Sequence, residues 1–169
     1  VHLLKEDNVR LVITDLFPSV LDSIKDHPQV SVVKPKDIYS TPCDIFSPCA
    51  LGSVLNEITI PKLHCQIVCG GANNQLTTKE AGDLLQENGI LYAPDYIVNA
   101  GGVINISCEV GMEYNIERAM DKTSNIFDTM KQIIQTSKQR QITTASAADK
   151  FAEDRIASVK QLRRIHTGS

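Results

Sequence analysis

Two polar segments in the middle of the chain carry asparagine side chains that could bind a small polar ligand. Asn73 and Asn74 follow an apolar run at residues 66–69, and Asn99 stands just before a pair of glycines at 101–102. An asparagine amide has both a donor and an acceptor, so it can bond a hydroxyl group or a carboxamide. Adjacent glycines allow unusual backbone angles or a close approach of the backbone to a ligand. For Asn73 and Asn74 the alternative interpretation is an Asx-type turn.

Asp15 is a candidate for binding a ribose, because it ends an apolar, β-branched run at residues 11–15 that is typical of a buried strand. At the end of the second strand of a dinucleotide-binding unit, an acidic side chain accepts hydrogen bonds from the adenine ribose and repels a 2′-phosphate. Leu16 and Phe17 follow, with no adjacent arginine, which favours NAD over NADP. The alternative is that Asp15 caps a helix whose start is indicated by Pro18.

The elements that must position these residues alternate between short apolar strands and helical patterns. Strands are predicted at residues 11–15, 30–33, 43–47, 66–69 and 90–93, and a helix from about 78 to 88 that ends at Gly89. Continuous apolar strands that alternate with helices indicate a parallel sheet covered on both faces. The pattern therefore predicts an α/β protein with a Rossmann-like, doubly wound parallel sheet.

The beginning of that fold is expected to be missing from these residues. The glycine-rich phosphate loop should lie about 20 residues before the acidic side chain. Fourteen residues precede Asp15, and no G-x-G-x-x-G occurs in the chain. Residues 1–9 are interpreted as the tail of the helix that such a loop would open. We expect residues 1–112 to form a partial NAD-binding domain that lacks its first β-strand and its glycine-rich loop.

Beyond Gly102 the pattern becomes helical, and residues 113–169 are predicted to form C-terminal helices that pack on this domain. Two stretches have apolar residues at helical spacing, for which core packing is the favoured interpretation. The stretches comprise Ile116, Ala119, Met120, Ile126, Met130, Ile133 and Ile134, and then Ala148, Phe151, Ala152, Ile156, Val159 and Leu162.

Composition argues against several classes of partner. The 169 residues are 42% hydrophobic and 22% charged with a net charge of −3, which provides no cationic surface for nucleic acid or an anionic membrane. The apolar runs are too short to span a bilayer, and the first residues do not have the pattern of a secretory signal. The five cysteines lie mostly in apolar segments without zinc-type spacing, which predicts reduced thiols in a cytoplasmic protein and no metal site.

Three segments together resemble the amino-acid dehydrogenases that act on glutamate, leucine, phenylalanine and valine. They are CDIFSPCALG at residues 43–52, GGANNQL at 70–76 and YAPDYIVNAGGVIN at 92–105. The resemblance extends over essentially the whole chain, including AAD at 147–149 and EDRIA at 153–157, and is strongest to the leucine-acting members.

The resemblance implies roles for the candidate residues. The loop at 48–51 would lie at the nicotinamide riboside of NAD, where small Ala50 lets the backbone approach, and Asn73 and Asn74 would contact the nicotinamide half. Asn99 would lie beside an amino-acid substrate, in a cleft between domains. The implied cofactor residues are Asp15, Pro48, Cys49, Ala50, Leu51, Asn73 and Asn74, and the substrate residues are Asn99, Val103 and Ile106.

Val103 and Ile106 would form the wall of the pocket for the substrate side chain. Their spacing of three fits one face of a helix that starts after Gly102. An apolar wall selects an aliphatic substrate by burial, which contributes about 0.8 kcal/mol per methylene. The alternative is that both residues belong to the protein core.

The implied reaction is the NAD-dependent oxidative deamination of leucine, valine or isoleucine to the 2-keto acid and ammonia. In the family, an N-terminal domain supplies the catalytic lysines and an aspartate from a glycine-rich segment, and no such segment occurs in these residues. We therefore expect no catalytic residue in this chain and no activity from the chain alone. The expected partners are the amino-acid or keto-acid substrate and the missing N-terminal domain, through which leucine-type relatives assemble into homo-oligomers.

Two other hypotheses remain open at this point. A non-enzymatic module, used for nucleotide binding or oligomerisation, is favoured by the lack of catalytic residues and disfavoured by Asn73, Asn99 and Gly101. A different dehydrogenase, such as one for 2-hydroxy acids, would need a His, Arg and Asp set that the sequence does not provide.

Overall fold

The computed structural model describes residues 2–111 and 113–167, with side chains described as far as Lys160. The chain divides into two compact units. The first comprises Val1–Pro42 and Lys62–His64, and the second comprises Cys43–Pro61 and Cys65–Ser169. Within the described residues, none of the helices has both the length and the apolar character needed to cross a membrane.

The first unit is built around two short parallel strands, β1 (Leu11–Ile13) and β2 (Val30–Val32). They are connected through a one-turn helix, α1 (Pro18–Leu21), in which proline occupies the first turn, where its missing N–H costs no hydrogen bond. A 3₁₀ turn at Ile38–Ser40 follows β2.

Two predictions for the first unit are wrong. Residues 2–9 do not form the predicted helix tail: a 3₁₀ turn covers Leu3–Lys5, and the Gln29 side chain then donates to the carbonyl groups of Glu6 and Val9, which fixes a non-helical path. Val1 lies outside the described residues. The first strand ends at Ile13 rather than Asp15, and it is half-buried or exposed rather than buried, because two strands and one helical turn cannot cover both of its faces within the unit.

The second unit contains a three-stranded parallel sheet with the order β3 (Ile45–Phe46), β4 (Ile67–Val68) and β5 (Leu91–Tyr92). Helix α2 (Lys79–Glu87) connects β4 to β5. Gly89 follows its C-cap with φ of 72°, a left-handed conformation that glycine adopts without a steric penalty. The predicted strands, the helix and its glycine stop are confirmed, although each strand is shorter than predicted.

In the part of the chain that the structure describes, four helices follow β5. They are α3 (Asp95–Val98), α4 (Gly101–Ser107), α5 (Ile116–Arg140) and α6 (Thr144–Thr167). Helix α5 begins where the Asn115 side chain accepts the backbone N–H of Arg118, a typical N-cap, and it ends before Gln141, which has φ of 55°. The prediction of an α/β fold with parallel strands and C-terminal helices is confirmed.

The helical core lies where α5 packs against α6. Ile133, Ala147 and Ala148 are fully buried, and Met130 and Phe151 pack against them. The interpretation of both apolar stretches as core is wrong in part, because the stretches are wider than the surface that the neighbouring helices cover. The exposed members are Ile116, Met120, Ile156 and Val159, and the side chain of Leu162 lies outside the described residues.

Candidate functional site

Three loops leave the carboxyl ends of β3, β4 and β5 in the second unit. We call them the β3 loop (residues 48–53), the β4 loop (residues 70–75) and the β5 turn (residues 93–95), which leads into α3. Parallel strands end at the same edge of a sheet, so these loops lie together, and ligands bind at this edge in open α/β sheets.

The β3 and β4 loops are joined by backbone contacts. The Ala72 N–H donates to the Pro48 carbonyl at 2.9 Å. A Cβ atom placed on Gly70 would lie 2.2 Å from the same carbonyl oxygen, so only glycine allows this approach. At the other end of the two loops, the Ser53 N–H donates to the Asn74 carbonyl at 2.6 Å. Pro48 is buried in this arrangement, whereas Cys49, Ala50 and Leu51 are exposed.

The β4 loop is joined to the β5 turn by two buried polar residues, Gln75 and Asp95. The backbone N–H of Gln75 donates to Asp95 Oδ2 at 2.8 Å. The Gln75 side-chain amide turns back into its own loop and donates to the carbonyls of Gly70 and Ala72, at 2.7 and 2.9 Å. The loop that carries Asn73 and Asn74 is therefore held from its interior.

Asn73 and Asn99 meet at the surface of this edge. The Asn99 side-chain amide donates to Asn73 Oδ1 at 2.5 Å. The side-chain N–H₂ of Asn73 and the side-chain oxygen (Oδ1) of Asn99 have no hydrogen-bond partner within the described part of the chain. The pair thus presents one donor and one acceptor, which can bind a ligand that has both functions.

The Asx-turn alternative for Asn73 and Asn74 is not what the structure shows. The side chain of Asn73 bonds Asn99, 26 residues away in sequence, rather than its own backbone. Asn74 has φ of 52°, a conformation that asparagine tolerates, and its exposed side chain makes no hydrogen bond to any described residue.

Asn99 lies at the junction of two short helices, where its backbone N–H donates to the Asp95 carbonyl at 2.9 Å. Helix α4 then starts at Gly101 rather than after Gly102. On it, Val103 is 73% exposed and Ile106 is 62% exposed. The alternative that these two residues belong to the core is therefore wrong, and they form an apolar surface on the helix that begins beside Asn99.

Asp15 lies in the first unit, two residues beyond the end of β1. Its Oδ1 accepts the backbone N–H of Phe17 at 2.8 Å, an Asx turn that directs the chain into α1. The N-cap of α1 is Phe17, without a side-chain cap, so Asp15 does not itself cap the helix. Its second carboxylate oxygen accepts no hydrogen bond from the described residues and can receive one from a ligand.

Burial and charge keep the tyrosine and the inner thiol near this edge protonated. The pKa of Tyr92 is raised, first by burial and then by the nearby Asp95 carboxylate. Burial also raises the pKa of the Cys69 thiol, with a smaller contribution from Cys49. Among the described residues, no group of three or more His, Cys, Asp or Glu could bind a metal ion.

Sequence reasoning missed Gln75 and Asp95. Both stand inside the segments that carry the resemblance, but their importance depends on burial, which their own spacing does not predict. A signal was present for Asp95, which is the one charged residue in the apolar segment at 92–98, and a buried polar group must find hydrogen-bond partners. Gln75 follows two asparagines, so its sequence context gave no such signal.

The architecture and the candidate site together define an α/β protein with a cluster of polar side chains at the carboxyl edge of a parallel sheet, the edge at which ligands bind in open α/β sheets. Residues 11–167 match the family model of the Glutamate/Leucine/Phenylalanine/Valine dehydrogenases, and the chain belongs to that family. The predicted resemblance is therefore confirmed.

Similar proteins include two kinds of amino-acid dehydrogenase. Leucine dehydrogenase of Bacillus cereus is 44% identical over 168 residues, which are 98% of this chain and 46% of that protein. L-tryptophan dehydrogenase of Nostoc punctiforme is 44% identical over 159 residues, which are 94% of this chain and 45% of that protein. The crystal structure of the Nostoc enzyme matches with a TM-score of 0.88 at 43% identity, covering 95% of this chain and 48% of that one. The chain thus spans about half the length of these relatives.

Proposed function

We propose that this chain forms the NAD-binding part, and one wall of the substrate pocket, of an enzyme that oxidatively deaminates an aliphatic L-amino acid. In this reaction the amino acid, NAD⁺ and water give the 2-keto acid, ammonium, NADH and a proton. Family membership supports the class of reaction, and the Asn73–Asn99 pair is the observation that carries the placement of the site.

The pair suits both ligands of such a reaction. A free amide N–H₂ on Asn73 can donate to a ribose hydroxyl, a carboxamide oxygen or a carboxylate. A free carbonyl oxygen on Asn99 can accept from a carboxamide or from the ammonium group of an amino acid. Holding the two amides against each other orients both without the entropy cost of ordering two mobile side chains.

The residues around the pair fit NAD, which when bound would accept the hydride. Gly71 in the β4 loop has open space, because an added Cβ would meet no atom within 4 Å, so a ligand can approach its backbone. Cys49, Ala50 and Leu51 in the β3 loop are exposed. With Pro48, Asn73 and Asn74 they would hold the nicotinamide half, and Asp15 would bind the adenine ribose and disfavour NADP.

An aliphatic substrate is proposed from the exposed wall that Val103 and Ile106 form. Branched aliphatic side chains bind such a wall by burial, at about 0.8 kcal/mol per methylene. The level of identity does not decide the substrate, since relatives named for leucine and for tryptophan are equally similar to this chain. Leucine, isoleucine and valine are therefore proposed from the wall alone.

Oxidation of an amine also needs a general base, and the two amides of the Asn73–Asn99 pair cannot act as one. We propose that lysines and an aspartate come from an N-terminal domain, that this domain assembles the enzyme into a homo-oligomer, and that these 169 residues alone are inactive. Within the described residues all five cysteines are free thiols, which suits a cytoplasmic location.

The cofactor proposal is tested by titrating the ¹⁵N-labelled chain with NADH and, in parallel, with NADPH. We expect weak binding, because no glycine-rich phosphate loop is present in these residues, with chemical-shift changes at residues 49–51, 73 and 74. NADPH should perturb the same amides less, because Asp15 repels the 2′-phosphate. Perturbations confined to other surfaces, or micromolar affinity without a phosphate loop, would contradict the proposal. A non-enzymatic module that has lost its ligand would show no perturbation at these loops.

A further inference from the structure

Gln75 and Asp95 are the buried polar residues next to the Asn73–Asn99 pair, and the proposed reaction gives them no role. Gln75 is 0% exposed and Asp95 is 9% exposed, so neither can touch a ligand at the surface. Both make hydrogen bonds to the segments from which the asparagines project. Both residues can therefore influence the positions of Asn73 and Asn99 through hydrogen bonds to the backbone.

Gln75 holds the β4 loop at a cost to stability. Its side-chain amide donates to two carbonyls of its own loop, while its Oε1 is buried with no hydrogen-bond partner in the part of the chain that the structure describes. An unpaired buried acceptor destabilises a fold and offsets part of what the two donated hydrogen bonds contribute. The two donated hydrogen bonds are therefore better explained by the shape that they give to the loop than by stability.

Asp95 links the segments that carry the two asparagines. Its Oδ2 accepts the backbone N–H of Gln75, directly after the loop of Asn73, at 2.8 Å. Its backbone carbonyl accepts the N–H of Asn99 at 2.9 Å. Its Oδ1 accepts the N–H of Tyr96 at 2.6 Å, which fixes the direction of the carboxylate. One buried residue thus sets the distance between the backbone of the β4 loop and the backbone of Asn99.

We propose that Asp95 and Gln75 are positioning residues that fix the spacing of the Asn73–Asn99 pair, so that its free donor and acceptor reach one ligand together. The ligand rests on the proposed function, whereas the spacing of the pair does not. An aspartate is suited to this position because both of its oxygens accept hydrogen bonds from backbone N–H groups. An asparagine would present an N–H₂ to one of them and lose that bond.

The test compares Asp95→Asn with Asp149→Asn, which is the same chemical change at a half-exposed carboxylate. Asp149 accepts the Tyr96 hydroxyl at 2.9 Å and lies 3.6 Å from Lys79 Nζ, away from the β4 loop bonds. The readout is hydrogen exchange of the Asn99 side-chain amide in the ¹⁵N-labelled chain. We expect Asp95→Asn to speed this exchange by about tenfold and to weaken NADH binding by about tenfold, and Asp149→Asn to leave both within about twofold.

Gln75→Met keeps the length of the side chain but removes its donors and the unpaired oxygen. We expect this variant to fold with reduced resistance to urea, because the carbonyls of Gly70 and Ala72 lose their donor. We also expect exchange at Asn99 to speed up by more than this loss of resistance accounts for, which a merely structural role would not give. Wild-type exchange at Asn99 in a folded Asp95→Asn or Gln75→Met chain would overturn the proposal. If neither variant folds, these residues hold the whole unit rather than the loop, and the proposal is equally wrong.

The two proposals fail in different ways. A wild-type chain whose β4 loop does not respond to NADH would count against the proposed cofactor site. Hydrogen exchange at Asn99 would still decide whether Asp95 and Gln75 fix the spacing of the Asn73–Asn99 pair.

Discussion

Amides, rather than charged groups, present the hydrogen-bonding atoms at the carboxyl edge of the second unit. The Asn73–Asn99 bond leaves the Asn73 N–H₂ group and the Asn99 side-chain oxygen available to a ligand. The charge that holds the pair, on Asp95, is buried and bonded to backbone N–H groups. In the proposed site, the residue that orients the pair is thus separate from the residues that would bind a ligand.

Removing one amide of the pair should weaken ligand binding without unfolding the chain, because both side chains are at least partly exposed. We expect Asn73→Ala to weaken NADH binding by about tenfold, since it removes one ligand donor and frees Asn99 to rotate. Unfolding in urea should change by less than about 0.5 kcal/mol, as for most surface substitutions. Equal NADH binding by the wild type and Asn73→Ala would show that Asn73 does not contact the cofactor.

Substitution of Gly70 should destabilise the fold, whereas substitution of its neighbour Gly71 should be tolerated. Gly70→Ala places a Cβ atom 2.2 Å from the Pro48 carbonyl oxygen, so the β3 and β4 loops must separate. We expect a loss of about 2 kcal/mol or more in the free energy of unfolding, measured in urea. Gly71→Ala is the matched control, since its Cβ meets nothing within 4 Å, and it should be close to neutral. Equal stability of the two variants would contradict the packing of the loops.

At the scale of elements, the helices differ in which apolar residues they bury. Ile133 on α5 is fully buried against α6, whereas Ile106 on α4 is mostly exposed. Ile133→Ala should therefore destabilise the chain by about 2–5 kcal/mol, and the identical substitution Ile106→Ala by less than about 0.5 kcal/mol. Urea unfolding of the two variants makes the comparison. A comparable loss from Ile106→Ala would mean that α4 is packed on the face that we assign to substrate.

The elements that periodicity predicts well are those whose stability is mostly local. Helix α2 was predicted to within a residue at each end, because its pattern and its glycine stop lie in the sequence itself. Residues 2–9 were predicted wrongly because a side chain from a distant position, Gln29, sets their path. The long helices were predicted, but their buried faces were not, since burial depends on which neighbour covers each turn.

In the candidate site, too, the sequence predicts local features but not those that depend on distant contacts. The asparagines could be placed at one edge of the sheet, because strand ends and polar residues are visible in the sequence. The direct bond between Asn73 and Asn99 could not be predicted, nor could the buried link through Gln75 and Asp95. Both depend on how loops from different strands fold over each other.

Across the whole molecule, the five cysteine thiols differ in their exposure, and their reactivity should differ accordingly. Cys49 is exposed and Cys108 is buried, and burial raises the pKa of Cys43, Cys65 and Cys69. A raised pKa means less thiolate at neutral pH, and the thiolate is the reactive form. We expect a disulfide reagent to modify Cys49 first, the three half-buried thiols more slowly and increasingly with rising pH, and Cys108 only on unfolding. Cys49→Ser should remove the fast phase, and a fast phase that persists would contradict the exposure of this loop.

We have proposed that these residues form the cofactor half of an aliphatic amino-acid dehydrogenase. The measurement joins this chain to the part of Bacillus cereus leucine dehydrogenase that it does not match and follows NADH formation. We predict NAD⁺-dependent oxidation of L-leucine by the joined protein, faster than that of L-phenylalanine or L-tryptophan, and none by the 169 residues alone. A folded joined protein that oxidises no amino acid would contradict this proposal. Oxidation of an amino acid by the 169 residues alone would contradict it as well.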